Sequence, residues 1–386
     1  MKKLEQRVPN LRFKGFTDDW EQRKLGETVF VNSGKDYKGL QKGNIPVYGT
    51  GGYMLSVNKY LSNKDAIGIG RKGTINNPYI LKAPFWTVDT LFYAIPQNQS
   101  DIEFMNAIFQ NVNWHKYDES TGVPSLSKST INQVKVYTTS LREQAAIGSL
   151  LHKIEKTISL QQRKLDLLKQ LKKGFLQKMF AEKNSKQPVL RFKGFHDDWE
   201  GRKLENSADY IRGSFPQPYG NKEWYGGTNA KPFVQVVDVN TNMRLNKKTK
   251  EQISVLAQPK SRFVPSDSIV VTLQGSIGRV AITQYDSYVD RTLLIFTKYK
   301  VPVDKYFWAY SIQNIFRIEK QKAPGGTIKT ITKRALSSFE VSLPVQEEQK
   351  KIGTLLKNID DIITSQQEEV SKLKKIKKSL LQQMFI

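Results

Sequence analysis

Between residues 147 and 180 the chain carries an apolar stripe with alternating spacings of four and three. Its positions are Ile147, Leu151, Ile154, Ile158, Gln161, Leu165, Leu168, Lys172, Phe175 and Met179. A mean period of 3.5 residues is the seam of a coiled coil. The rhythm returns at Ile352, Leu356, Ile359, Ile363, Gln366, Val370, Leu373, Lys377, Leu380 and Met384, with the polar interruptions at matching places. The spacing predicts two long helices, the first on the order of 60 Å long. Ser140-x-x-Glu143 reads as a capping box for the first helix, and Pro344 lies near the first turn of the second. A long helix with one apolar seam needs a partner, and its own repeat is the nearest. Antiparallel pairing is the expectation, although a parallel pair remains open. With flush ends Ile147 meets Met384, Gln161 meets Val370 and Gln366 meets Leu165; a shift of four residues brings the two amides face to face.

The remaining sequence, 26–140 and 205–345, is patterned differently. Short β-rich runs alternate with Gly and Asn turns, as in compact units built on sheets. These units are also repeats. "LRFKGFTDDWEQRKL" (11–25) returns as "LRFKGFHDDWEGRKL" (190–204), and the helix "IGSLLHKIEKTISLQQRKLDLLKQLKKGFLQKMF" (147–180) returns as "IGTLLKNIDDIITSQQEEVSKLKKIKKSLLQQMF" (352–385). The offset grows from 179 to 205, so the second copy holds 26 additional residues between the two markers. Fainter landmarks align inside the units: "DAIGIGRKGTI" (65–75) with "DSIVVTLQGSI" (267–277), "TVDTLFY" (87–93) with "YVDRTLL" (288–294), and "SLSKSTINQVKVY" (125–137) with "TITKRALSSFEVS" (330–342). The expected fold is mixed α/β: two similar globular domains separated by two long antiparallel coiled-coil helices in an internal pseudo-two-fold repeat. Its boundaries are 1–141 (first domain), 142–181 (central helix), 182–189 (linker), 190–346 (second domain) and 347–386 (C-terminal helix).

Charge changes the picture most. Lys and Arg number 61 against 36 Asp and Glu, a formal net charge of +25. Such an excess favours a polyanionic partner, nucleic acid before an acidic membrane surface. The absence of cysteine excludes disulfides and thiolate metal sites, and only His115, His152 and His196 could offer imidazole. The first residues lack an apolar signal core, and no 18-residue apolar run occurs, so a cytoplasmic chain with no membrane contact is expected.

Enzyme signatures are weak. "GIGRKG" (68–73) matches G-x-G-x-x-G, but "TINNPY" follows where a dinucleotide-binding turn needs a helix, and the aligned copy loses the pattern. "NNPYI" (76–80) only faintly resembles the catalytic motif of amino-methyltransferases. Asp18-Asp19 and Asp197-Asp198 are paired carboxylates, read here as surface acids beside packed Trp20 and Trp199.

The repeat order, with "LRFKGFxDDWExRKL", "REQAAIGSLL"/"EEQKKIGTLL" and "KKxxLQxMF", resembles the specificity subunit of type I restriction–modification systems over essentially the whole chain. The resemblance implies a non-catalytic DNA-recognition subunit. Each domain would read one half of a bipartite double-stranded target, and the helices would set the spacer. Two DNA adenine-methyltransferase (modification) subunits would dock on the chain, joined by restriction subunits with translocase and endonuclease activity. S-adenosylmethionine, ATP and Mg would belong to those partners, with no cofactor on this chain. The first choices for DNA contact are loop residues near the shared glycines: Arg71, Lys72 and Thr74 in one copy, Gln274, Ser276 and Arg279 in the other. Arg pairs bidentately with guanine and Gln with adenine, while hydroxyls suit phosphates. Ser127, Lys128, Lys329 and Lys333 are second choices, as phosphate contacts. The seam residues would join the helices or receive partner subunits. Two other readings stay open: a self-contained DNA-modifying enzyme, and a coiled-coil scaffold binding nucleic acid.

Overall fold

The structure, a computed structural model, describes residues 8–97, 99–182, 185–322, 331 and 333–386. It forms two compact units, Met1–Gln162 with Glu369–Ile386, and Arg163–Glu368.

In the first unit, strand β1 (Glu21–Lys24) pairs antiparallel with β9 (Lys135–Thr138), Arg23 opposite Val136. One helical turn, α1 (Leu25–Thr28), leads into β2 (Val29–Ser33). A four-stranded sheet follows the order β2-β8-β5-β6, with β5 at Ala66–Gly70, β6 at Tyr79–Leu81 and β8 at Leu91–Pro96. Strand β5 is buried at all five positions, which explains its unbroken apolar and glycine composition. A smaller sheet holds β3 (Lys42–Gly49), flanked by β4 (Gly52–Val57) and, in parallel, β7 (Trp86–Thr87). Helix α2 (Ile102–Asn111) is capped by Asp101, whose carboxylate accepts from the Phe104 N–H at 2.9 Å; Phe104, Met105, Ile108 and Phe109 face the core. Helix α3 (Lys128–Gln133) precedes β9.

The second unit repeats this plan. Strand β10 (Glu200–Lys203) pairs with β19 (Glu340–Leu343), and a turn, α5 (Leu204–Ser207), leads to β11 (Ala208–Arg212). The main sheet is β11-β18-β15-β16, with β15 at Ile269–Thr272, β16 at Val280–Ile282 and β18 at Leu293–Tyr299. The smaller sheet, β13-β12-β17-β14, contains β12 (Lys231–Val234), β13 (Glu251–Ile253), β14 (Arg262–Val264) and β17 (Ser287–Val289). Most of the extra length falls between β11 and β15, where β14 is the added strand. Helices α6 (Lys305–Lys322) and α7 (Lys333–Ser337) stand where α2 and α3 stand in the first unit.

The expected helices are α4 (Leu141–Lys178) and α8 (Gln346–Met384), and each contributes to both units. In the first unit, Lys377 pairs with Glu155 at 2.5 Å and Gln161 donates to Glu369 at 3.2 Å. In the second, Lys172 pairs with Asp360 at 2.7 Å, and Leu165 packs with Ile359 and Ile363. In the first unit one partner's number falls as the other's rises, and in the second Leu165 clusters with Ile359 and Ile363 while Met179 clusters with Ile352 and Leu356, so the segments run antiparallel within each unit. Ile147 and Met384 share the first unit's core, as flush ends require. Every seam position of both helices is buried or half-buried; Gln366 and Val370 are each 4 % exposed.

The repeated phrases are the joints of the two units. Arg12 donates to both Glu143 oxygens at 2.6 and 2.8 Å, and Arg191 to both Glu348 oxygens at 2.8 Å. Both glutamates are fully buried. The next residue, Gln144, accepts from the Asp101 N–H at 3.0 Å and donates to the Thr139 carbonyl at 2.7 Å; Gln349 does the same with Asp304 and Pro344, at 2.9 Å each. Gly148 and Gly353 let the starts of α2 and α6 lie against the long helices. A Cβ there would sit 2.8 Å from the Phe104 nitrogen and 2.7 Å from the Phe307 nitrogen. Trp20 packs edge-on against Phe104 and Phe385, and Trp199 against Phe307 and Phe180. Each such indole contributes roughly 4 kcal/mol of transfer free energy. The "MF" ending of each long helix thus completes an aromatic core. Asp18, Asp19, Asp197 and Asp198 stay exposed beside these tryptophans.

One local expectation is corrected. The Ser140 hydroxyl does accept from the Glu143 N–H, at 3.4 Å, but the Glu143 carboxylate is drawn to Arg12 and the Thr139 hydroxyl rather than back to the helix start. A buried guanidinium is a stronger partner for a carboxylate than a cap N–H. The segment read as a linker is also tied down in part: the Trp199 N–H donates to the Lys186 carbonyl at 2.7 Å, and the Gln187 amide to the His196 carbonyl at 2.9 Å.

Candidate nucleic-acid interface

Both units turn back at the end of the buried central strand, and both turns use a glycine with positive φ. Gly73 lies at +86° and Gly275 at +63°, a backbone region that strains side chains with a Cβ. In the first unit the Arg71 N–H donates to the Thr90 carbonyl at 2.8 Å, and the Arg71 carbonyl accepts from the Leu126 N–H at 2.9 Å. In the second, the Leu273 N–H donates to the Thr292 carbonyl at 2.8 Å, and the Leu273 carbonyl accepts from the Ile331 N–H at 3.4 Å. Three segments therefore converge on each turn, held by the same backbone bonds.

What the turns present differs. Arg71, Lys72 and Thr74 are exposed, with the Arg71 guanidinium carbon 5.9 Å from the centre of the Phe92 ring. A bridge between Lys72 and Ser125, together with the Gly73 N–H bond to the Pro124 carbonyl at 2.8 Å, carries Ser127 and Lys128 to the same place. Lys128 is exposed at the first position of α3. Ser127 is committed to structure: its hydroxyl accepts from the Thr130 N–H at 3.1 Å and donates to Glu119 at 2.8 Å. The hydroxyls of Thr130 and Ser127 hold the Glu119 carboxyl below the usual glutamate range. Asp118 is lowered by the N–H groups of Ser125 and Ser120, so acidic side chains pin this loop from within.

In the second unit Gln274 is exposed and Ser276 half-buried. Arg279 lies at the base of the turn, its N–H donating to the Thr272 hydroxyl at 3.0 Å, and its side chain reaches away to the Val239 carbonyl at 3.3 Å. The structure thus joins Gln274 and Ser276 on one turn and directs the Arg279 guanidinium elsewhere. Lys333 opens α7, and Lys329 lies outside the described residues.

One landmark pairing lies a residue out of register. "VDTLFY" and "YVDRTLL" had matched Thr90 with Arg291, yet the backbone bonds equate Thr90 with Thr292. Arg291 therefore stands in the second unit's opposing turn where the first has Asp89, exposed and 4.9 Å from the centre of the Tyr219 ring. The signal in the sequence is the repeated "TL", which stays aligned when the offset of the preceding landmark, Asp65 with Asp267, is kept. The glycines of "GIGRKG" lie in β5 and its turn, and strand β6 follows rather than a helix. Among the described residues no group of three or more metal-binding side chains gathers, and no helix is long and apolar enough to cross a membrane.

Two modules of one design, with unlike side chains on matching turns, define a chain built for two related acts of recognition. The type I restriction modification DNA specificity domain matches this sequence twice, at residues 17–170 and 196–375. The chain belongs to that family. It is 28 % identical over 287 residues to a Methanocaldococcus jannaschii protein named for the type I restriction enzyme MjaX specificity subunit, covering 71 % of this chain and 64 % of that one. It therefore spans somewhat less than two thirds of that relative. The type I restriction enzyme MjaVIII specificity subunit of the same organism is 24 % identical, covering 83 % of this chain and 75 % of that one. In fold, the crystal structure of a type I restriction-modification system S subunit from M. genitalium aligns with TM-score 0.71 at 12 % identity, covering 98 % of this chain and 99 % of that one. These findings favour neither the self-contained modifying enzyme nor the general scaffold.

Proposed function

We propose that this chain reads a bipartite double-stranded DNA target, one half-site for each recognition domain (1–141 and 190–346). The helices 142–181 and 347–386 set the gap, with 182–189 joining the repeats. The observation that carries this reading is the pair of glycine turns: one backbone scaffold bearing Arg71-Lys72-Gly73-Thr74 in one copy and Leu273-Gln274-Gly275-Ser276 in the other. A shared scaffold with unlike side chains suits two half-sites of unlike sequence. The net charge of +25 supports affinity for the phosphate backbone. The second module, with 20 basic and 11 acidic residues over 205–345 against 11 and 8 over 26–140, supplies more of the non-specific part.

The chemistry belongs to partners: two adenine-methylating subunits that bind S-adenosylmethionine, and restriction subunits that use ATP and Mg. Off the seam, Leu160, Leu167, Leu171, Ile362 and Ile376 are exposed, apolar surface that favours docking of other subunits. Such a complex works on DNA in the cytoplasm. The test is to reconstitute the chain with its modification subunits and map methylated adenines across the host genome. A split recognition sequence is expected, and a few residues inserted after Gln170 should lengthen its gap while leaving both halves unchanged. Methylation by the isolated chain, or altered bases with an unchanged gap, would defeat the proposal.

A further inference from the structure

The two glycine turns differ most at their first position. In the first unit it is Arg71, exposed, its guanidinium set beside the Phe92 ring. In the second it is Leu273, 1 % exposed and packed in the core, so that turn offers no cation there. The segment opposite compensates. Where the first unit has Asp89, immediately before the Thr90 carbonyl that holds the Arg71 N–H, the second has Arg291, immediately before the Thr292 carbonyl that holds the Leu273 N–H.

Arg291 does not hang loose. Its guanidinium carbon lies 4.9 Å from the centre of the Tyr219 ring. That ring is fixed by a contact with Phe215 at 5.1 Å between centres, by the Tyr219 hydroxyl on Asp290, and by the Tyr225 hydroxyl donating to the Tyr219 carbonyl at 3.0 Å. Asp290 is 3 % exposed and also accepts from the Thr292 N–H at 2.9 Å. The platform is therefore built into the core, while Arg291 itself is exposed. A guanidinium held over a ring loses less rotamer entropy on binding than a free one. Its planar fork of donors matches the O6 and N7 acceptors of guanine.

We propose that Arg291 is the specificity-determining counterpart of Arg71, reading a guanine in the half-site of the second module. The same guanidinium is delivered to the same part of the fold from opposite strands. This rests on the DNA-reading function proposed above, and the experiment separates the two.

The full chain with its modification subunits is bound to duplex libraries in which each half-site position is randomised, and the retained sequences are read. Arg291→Ala should lower the preference for guanine at one position by roughly 5- to 150-fold, the value of one bidentate pair. Arg71→Ala should do so in the other half-site. Arg291→Lys should preserve overall affinity yet lose the preference, because an ammonium keeps the charge without the fork. An unchanged base preference in Arg291→Ala overturns the inference. So does a uniform loss across all sequences that Arg291→Lys restores, the behaviour of a phosphate contact. If the unaltered chain enriches no split sequence at all, the DNA-reading function itself falls.

Discussion

The buried Arg12–Glu143 pair joins the opening phrase of the repeat to the start of α4, and its removal should be costly. Glu143 is wholly inaccessible and the Arg12 side chain only 13 % exposed. At an effective dielectric near 20 and about 3.5 Å separation, the gross attraction is roughly 5 kcal/mol, much of it offset by desolvation. Arg12→Met leaves a buried carboxylate with only the Thr139 hydroxyl and the Ser140-capped helix start nearby, which should cost about 3–5 kcal/mol. Arg12→Met with Glu143→Leu removes both charges and should cost far less than the sum of the single changes. Two units need not unfold together, so amide hydrogen exchange resolved by segment is the suitable assay: protection should fall around Trp20 and α2 while the Arg191–Glu348 joint stays protected. A single-mutant loss below 1 kcal/mol, or strict additivity in the double mutant, would refute the reasoning.

Other outcomes can be checked directly. Gly148→Ala and Gly353→Ala force a methyl against the first turns of α2 and α6 and should each cost about 1–3 kcal/mol in denaturant unfolding. The Asp118 carboxyl is lowered, mainly by the Ser125 and Ser120 N–H groups. Its contribution is therefore complete at neutral pH and lost as pH falls through its native pKa, below the ordinary value of about 3.9. Ser120 and Ser125 amide protection, followed by NMR against pH, should drop in that range and stay flat above pH 5 or so. DNA affinity should fall by orders of magnitude between low and moderate salt, and Lys333→Ala should weaken all sequences about equally while reducing the log–log salt slope by about one.

The repeat made the helices, their antiparallel pairing and the paired modules legible, because both the 3.5-residue seam and the duplicated phrase are local patterns. What the phrase does was not legible. Arg12 meets Glu143 across 131 residues, and Trp20 meets Phe385 from the far part of the sequence; no local period encodes such partners. The capping-box reading failed for the same reason, since the competing guanidinium was distant. At the candidate interface the glycine turns were visible as landmarks. The direction of Arg279 and the internal commitment of Ser127 depend on neighbours that only folding supplies. Arg291 was obscured by a one-residue slip, which backbone hydrogen bonds reveal and side-chain similarity does not.

The exchange of helix endings also dictates an order of assembly. The second unit closes Trp199 on Phe180, already synthesised when the module emerges, and on Phe307 within it. The first unit closes Trp20 and Phe104 on Phe385. Translation must proceed roughly 280 residues beyond Phe104 before that partner exists, a wait on the order of tens of seconds at ordinary elongation rates. During that interval the module made first holds an unfinished aromatic core, open to chaperones and to other nascent chains. The module made second is ready earlier. Its time on the ribosome is thus a hazard borne almost entirely by the N-terminal half.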